Sequence, residues 1–113
     1  MLVVEDEVLV AMLIEDMLSD LGFDVIGPAT RLKRALEMAR EEIFDLALLD
    51  VNLASEQSFP VAQALQERKI PFIFATGYGT KGIDARFHGA VTLQKPFEAH
   101  QLERAILSTL ATK

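Results

Sequence analysis

Two acidic stretches stand where short apolar runs end: Glu5, Asp6 and Glu7 follow Leu2 to Val4, and Asp50 follows Asp45 to Leu49. Thr76 follows the run Phe72 to Ala75, and Lys95 comes shortly after Val91 to Leu93. Carboxylates gathered in one pocket repel each other and either take up protons or recruit a cation. A hard divalent cation is the natural remedy, and Mg²⁺ prefers one or two carboxylates completed by water and phosphate oxygens. Glu5, Asp6 and Asp50 contribute about −3, which Mg²⁺ and Lys95 offset with about +3. Phosphate attached to Asp50 would leave the site near −1. Lys95, the Thr76 hydroxyl and the backbone N–H groups near Gly77 are the donors available to meet that charge. Asp50 then reads as the nucleophile of a phosphoryl transfer, with Mg²⁺ and Lys95 offsetting charge on the transferred group. Each residue taken singly has a plainer role: Asp6 as a helix cap, Asp50 as a loop brace, Thr76 as a turn residue. Their joint placement after four apolar runs favours the chemistry.

The elements that must position these groups follow from the pattern between them. Short apolar runs alternate with segments of helical period, which predicts five βα pairs around a parallel sheet. The strands are expected at Leu2 to Val4, Phe23 to Ile26, Asp45 to Leu49, Phe72 to Ala75 and Val91 to Leu93. Their brevity and branched or aromatic content suit strands covered on both faces. A first helix over Glu7 to Leu21 places Val10, Ile14, Met17, Leu18 and Leu21 on one face, with Gly22 as its stop. Thr30 is expected to cap a second helix whose stripe is Leu32, Ala35, Leu36 and Ala39. Pro60 suits the first turn of a third, with Val61, Ala64 and Leu65 inward. A last helix over Glu98 to Ala111 carries Leu102, Ile106, Thr109 and Leu110. Gly77, Gly79 and Gly82 make a fourth helix between strands four and five short and marginal.

Bulk properties narrow the class. The 113 residues, 50% hydrophobic and 25% charged, suit a single globular domain over 1–113. No apolar run approaches a membrane span, and the start lacks a secretory signal, so a cytoplasmic protein is expected. Cysteine is absent, which excludes thiolate metal sites and cysteine nucleophiles. A net charge of −6 argues against direct nucleic-acid binding. The chain begins inside its first strand and ends with its last helix, which fits a stand-alone domain or one cut from a longer protein.

The segments Val3-Val4-Glu5-Asp6-Glu7, Leu48-Leu49-Asp50-Val51-Asn52-Leu53, Ala75-Thr76-Gly77 and Leu93-Gln94-Lys95-Pro96-Phe97, in this order, resemble the receiver (CheY-like) domains of two-component response regulators. The resemblance covers essentially the whole chain. It implies a doubly wound, flavodoxin-like five-stranded parallel sheet of order 2-1-3-4-5. It implies Mg²⁺ held by Asp6, Asp50 and the carbonyl of Asn52, with Glu5 acting mostly through water, and a Lys95–Pro96 bond that is often cis. It also implies phosphorylation of Asp50 by a histidine kinase or a histidine phosphotransfer protein, in a monomer or weak dimer. Such a domain is a phosphoacceptor that assists its own phosphorylation and slow dephosphorylation rather than an enzyme. The run Phe72-Ile73-Phe74-Ala75-Thr76-Gly77-Tyr78-Gly79 is similar to the FATGUY class of receivers, frequently stand-alone and associated with HWE-type kinases.

Two positions depart from the common pattern. Thr92 stands where most receivers carry an aromatic switch residue, as it does in the FATGUY class, and Ser55 stands where many have glycine. Without a ring to rotate, the signal is expected to run through Gly77 to Phe87, loosely ordered at rest and tightened when Thr76 binds the phosphoryl group. Thr76, Thr92 and Tyr78 are the switch candidates. Val8, Leu9 and Met12 lie off the core face of the first helix near the acidic site, and the resemblance adds Pro96 and Phe97 as kinase-docking residues. His88 and His100 fall outside the cluster and read as surface residues. A haloacid-dehalogenase-like phosphatase needs a second Asp two residues after the nucleophile, where Asn52 stands. A dinucleotide module lacks its glycine fingerprint. A pseudo-receiver working without phosphorylation remains the alternative, disfavoured by the presence of Asp6, Asp50, Thr76 and Lys95.

Overall fold

The computed structural model describes residues 1–53, 56–77 and 82–111. Five parallel strands form one sheet: β1 (Leu2–Val4), β2 (Ile26–Ala29), β3 (Ala47–Asp50), β6 (Phe72–Thr76) and β7 (Val91–Gln94). A two-stranded antiparallel hairpin, β4 (Asn52–Leu53) with β5 (Glu56–Gln57), follows β3 directly. The helices are α1 (Val8–Asp20), α2 (Leu32–Glu41), α3 (Phe59–Glu67) and α4 (Ala99–Ala111). The sheet order is β2-β1-β3-β6-β7. Counting only the strands of this sheet, that is the doubly wound 2-1-3-4-5 order.

Strand alternation divides the core. Leu2, Val4, Ala47, Leu49, Phe72 and Phe74 pack with α2 and α3 residues on one face, whereas Val3, Leu48, Ile73, Ala75 and Leu93 pack with α1 and α4 residues on the other. Both sheet faces are thus buried, which is why these strands read as continuous apolar runs.

Three sequence expectations are corrected. The second strand begins at Ile26 and ends at Ala29, not at Phe23 to Ile26. Phe23 and Val25 instead pack as loop residues beside α1, while Gly27 and Pro28 lie within the strand. An edge strand tolerates proline, and β1 pairs with β2 through a register shift between Leu2 and Val4. Gly27 has φ of 100°, and a Cβ there would stand 2.8 Å from the Val3 carbonyl oxygen and 2.9 Å from the Ala29 nitrogen, so only glycine fits. Thr30 does not cap α2. The N-cap is Arg31, and no side chain caps it. In α4 the stripe is Leu102, Ala105, Ile106 and Thr109, with Leu110 exposed. Gly22, with φ of 91°, ends α1 as expected, and Pro60 sits in the first turn of α3.

Between β6 and β7 the described residues include a short 3-10 turn, Ala85–Phe87, and no α-helix. Ile83 and Phe87 are buried, and Phe87 stacks on Phe59 and meets Phe72 and Phe74 edge to face, at centroid separations of 5.8 to 6.1 Å. The C-terminal part of the expected loose segment is therefore packed into the core. Tyr78 and Ser55 lie outside the described residues.

Candidate functional site

Parallel register carries the candidate groups to one end of the sheet. Val4 pairs with Leu49, Asp50 with Ala75, and Thr76 with Gln94. Each pairing is followed at the strand's carboxyl end by the next functional residue, so Glu5, Asp50, Thr76 and Lys95 emerge side by side. In open α/β sheets this edge is where ligands bind.

Glu5, Asp50 and Thr76 are buried, Asp6 is half-buried, and Lys95 reaches in with 21% of its side chain exposed. Lys95 Nζ lies 3.0 Å from Glu5 Oε1 and 3.4 Å from Asp50 Oδ2. The Glu7 backbone N–H donates to the other Glu5 oxygen at 3.2 Å. The Lys95 N–H donates to the Thr76 carbonyl at 2.8 Å, tying the ends of β6 and β7 together. The Lys95–Pro96 peptide is cis, as is Gly27–Pro28. The N-cap of α1 is Glu7 rather than Asp6.

The electrostatics follow from this crowding. Burial raises the Asp50 carboxyl to about 7, and Glu5 adds to the rise through a hydrogen bond and charge repulsion, with Lys95 opposing. For Lys95, burial works against the charge, but the hydrogen bond to Glu5 and the charges of Asp50 and Glu5 outweigh it and hold the ammonium above its usual value. One oxygen from each of Glu5, Asp6 and Asp50 lies within 4.8 Å of the others. An all-oxygen set of this charge, with burial and mutual repulsion disfavouring ionisation of Asp50, fits a hard divalent cation. Asn52 opens the hairpin two residues beyond Asp50, paired with Gln57.

The structure brings Glu5, Asp6, Asp50, Thr76 and Lys95 together and leaves the other candidates around them. Gly77 is exposed immediately after Thr76. Thr92 is half-buried, with its hydroxyl 3.5 Å from the Ala90 carbonyl. Val8, Leu9 and Met12 are strongly exposed on α1, and Pro96 is exposed. Phe97 packs half-buried against the α1–α4 core. Beside them a cavity of about 270 Å³ is lined by Val10, Leu13, Met17, Pro96 and Phe97. Leu13, itself exposed, was not foreseen there because its helical position alone does not reveal the Pro96–Phe97 loop beside it. The sequence also gave no sign of the hairpin after Asp50 or of the four-phenylalanine cluster. Phe72 and Phe74 share β6, Phe59 reaches them from α3, and the β6–β7 crossover adds Phe87. His88 and His100 are exposed and remote from the carboxylates; His88 Nε2 lies 2.9 Å from the Ile83 carbonyl.

Comparison with known proteins agrees with this geometry. A family model described as the response regulator receiver domain matches residues 1–107. The chain is 35% identical over 109 residues to the sensory transduction protein LytR of Staphylococcus haemolyticus (strain JCSC1435), covering 93% of this chain and 43% of that protein. It spans about half the length of the curated relatives it matches. The solution structure of SdrG from Sphingomonas melonis Fr1 is 43% identical and superposes with a TM-score of 0.86, covering 96% of this chain and 93% of that one. The BeF3-activated conformation of SdrG from Pseudomonas melonis Fr1 is 42% identical with a TM-score of 0.80, covering 96% and 92%. With strand order, acidic cluster and family match in agreement, the chain belongs to the receiver domain family of two-component response regulators.

Proposed function

We propose that Asp50 accepts a phosphoryl group from the phosphohistidine of a histidine kinase or histidine phosphotransfer protein, and that the resulting change alters partner binding. The observation that carries this reading is the buried Asp50 carboxylate set between Glu5 and Lys95, with Asp6 alongside. An Asp50 Oδ attacks phosphorus as the P–N bond breaks, and the donor imidazole leaves with the bonding pair and takes up a proton. Asp6, Asp50 and the Asn52 carbonyl would hold Mg²⁺, with Glu5 supporting through water. The ion supplies charge neutralisation on the transferred oxygens. Lys95 Nζ, already within reach of Asp50, turns to a phosphoryl oxygen, while the Thr76 hydroxyl and the Gly77 N–H donate to others.

Several supports converge. The beryllofluoride-activated SdrG structure belongs to a relative 42% identical over nearly the whole chain. Val8, Leu9, Met12, Pro96 and Phe97 offer apolar docking surface beside the site. A kinase of HWE type fits the Phe-Ala-Thr-Gly signature. The protein assists its own phosphorylation and slow dephosphorylation without turning over a separate substrate. It works in the cytoplasm, as a monomer or weak dimer. No helix among the described residues is long and apolar enough to cross a membrane.

The test adds acetyl phosphate or beryllofluoride with Mg²⁺ to the native chain and to Asp50→Ala, following amide chemical shifts. A Mg²⁺-dependent response confined to the native chain is expected. No response in either would leave a pseudo-receiver that binds partners without phosphorylation.

A further inference from the structure

At the opposite end of the sheet from Asp50, where β6 and β7 begin, lies a cavity of about 430 Å³ lined by Lys69, Ile70, Phe72, Arg86, Phe87 and Val91 among others. Its size falls in the range of small-molecule sites. Ile70, Phe72, Phe87 and Val91 supply its apolar lining beside the polar Gln66 and Thr109, and among the described residues the charged side chains that line it are Lys69 and Arg86.

Lys69 follows the Arg68 cap of α3 with φ of 60°, its N–H donating to the Gln66 carbonyl at 3.0 Å while the Ile70 N–H donates to Leu65 at 2.9 Å. Glycine is favoured in this left-handed position, so a lysine stands there at a conformational cost. The dipole of α3 accounts for a cation at this end. It does not account for the cavity beside it. Lys69 makes no ion pair with the described residues. Arg86 is preorganised differently. Its Nε and Nη2 lie 3.2 and 3.5 Å from the two Asp84 oxygens, and its guanidinium sits 5.1 Å from the Phe87 ring centroid. Asp84 thereby holds one edge of the planar fork and leaves the Nη1 edge for another acceptor.

We propose that this cavity binds a small organic anion with a flat apolar body, an aromatic carboxylate being the simplest case, and that its occupancy tunes the acceptor site. Lys69 and the open edge of Arg86 take the carboxylate, and the ring lies over Ile70, Phe72 and Phe87. The route to the site is short: Phe87 packs 5.9 Å from Phe74, which lies two residues before Thr76 on β6. The coupling rests on the Asp50 reading, whereas the binding does not.

The experiment titrates the isotope-labelled full chain with benzoate, with benzamide as the neutral isostere and inorganic phosphate as the bare anion. Saturable amide shifts confined to the Lys69–Phe72 and Ala85–Val91 stretches are expected with benzoate alone. Lys69→Gly, which suits the local backbone and so preserves folding, should weaken binding roughly tenfold, as should Arg86→Gln. Equal binding of benzamide, unchanged affinity in both variants, or an equal response to phosphate, meaning an adventitious ion only, overturns the site. In a second arm, benzoate should shift the beryllofluoride midpoint at constant Mg²⁺ in the native protein and not in Lys69→Gly, by reciprocity of coupled sites. Benzoate binding without that shift overturns the coupling. A native protein blind to beryllofluoride overturns the coupling together with the Asp50 reading, and the benzoate titration then still decides the cavity.

Discussion

Lys95 Nζ sits closer to Glu5, at 3.0 Å, than to Asp50, at 3.4 Å. The buried Glu5 carboxylate therefore holds the lysine beside Asp50 in the resting structure. Lys95→Ala leaves two buried carboxylates facing each other without their cation. Because the ammonium is partly exposed, the expected loss without Mg²⁺ is about 1–3 kcal/mol, below the usual cost of breaking a fully buried pair. Urea denaturation with and without Mg²⁺ measures it, and added Mg²⁺ should recover most of the loss. A variant as stable as the native chain in the metal-free state would contradict this role for Lys95.

The raised Asp50 carboxyl makes stability depend on pH in a defined direction. Its folded value of about 7 stands above the unfolded 3.8, so the folded state binds the extra proton between these values. Stability from this group is present below pH 3.8 and declines as pH rises toward about 7. Asp50→Asn removes that decline. Allowing for Lys95, the native chain should lose about 1–2 kcal/mol relative to Asp50→Asn between acidic and neutral pH without metal. Saturating Mg²⁺ should flatten the native profile by favouring the carboxylate. Parallel profiles for the two proteins without metal would count against the assignment.

Gly27 tests the edge of the sheet. With φ of 100° and backbone atoms 2.8 and 2.9 Å from any added Cβ, Gly27→Ala should cost at least about 2 kcal/mol. Lys69→Gly, at the other left-handed position, should gain about 1 kcal/mol. Thermal unfolding of the two variants should move in opposite directions, and shifts of the same sign would refute this account of the backbone.

The relay is open to hydrogen exchange. Thr76→Ala should still accept beryllofluoride at Asp50, while the native protein alone gains protection between Gly77 and Phe87. Phe87→Leu keeps the core filled but removes the ring contacts to Phe59, Phe72 and Phe74, and should raise exchange across Ile83 to Ala90 in the resting state. Identical protection in the native chain with and without beryllofluoride would exclude a relay through this segment.

The chemical groups at the site were legible in the sequence because each stands within two residues of the end of an apolar run. A parallel sheet converts that local rule into spatial convergence: Glu5, Asp50, Thr76 and Lys95 needed no long-range information beyond strand order. What the linear pattern withheld depends on contacts between distant residues. The second strand was expected at Phe23 to Ile26, yet β2 runs from Ile26 through Gly27 and Pro28 to Ala29 because its partner β1 and the sheet edge admit them. Thr30 had the right chemistry for a cap, but the chain enters α2 one residue later. The phenylalanine cluster needs α3 to lay Phe59 on Phe74 and the crossover from β6 to β7 to add Phe87. Residue type and period determined the fold class and the convergence of the carboxylates with Lys95. Tertiary packing decided the second strand's register, the hold of Glu5 on Lys95 and the cavity at the far end of the sheet, because each arises where segments remote in sequence meet.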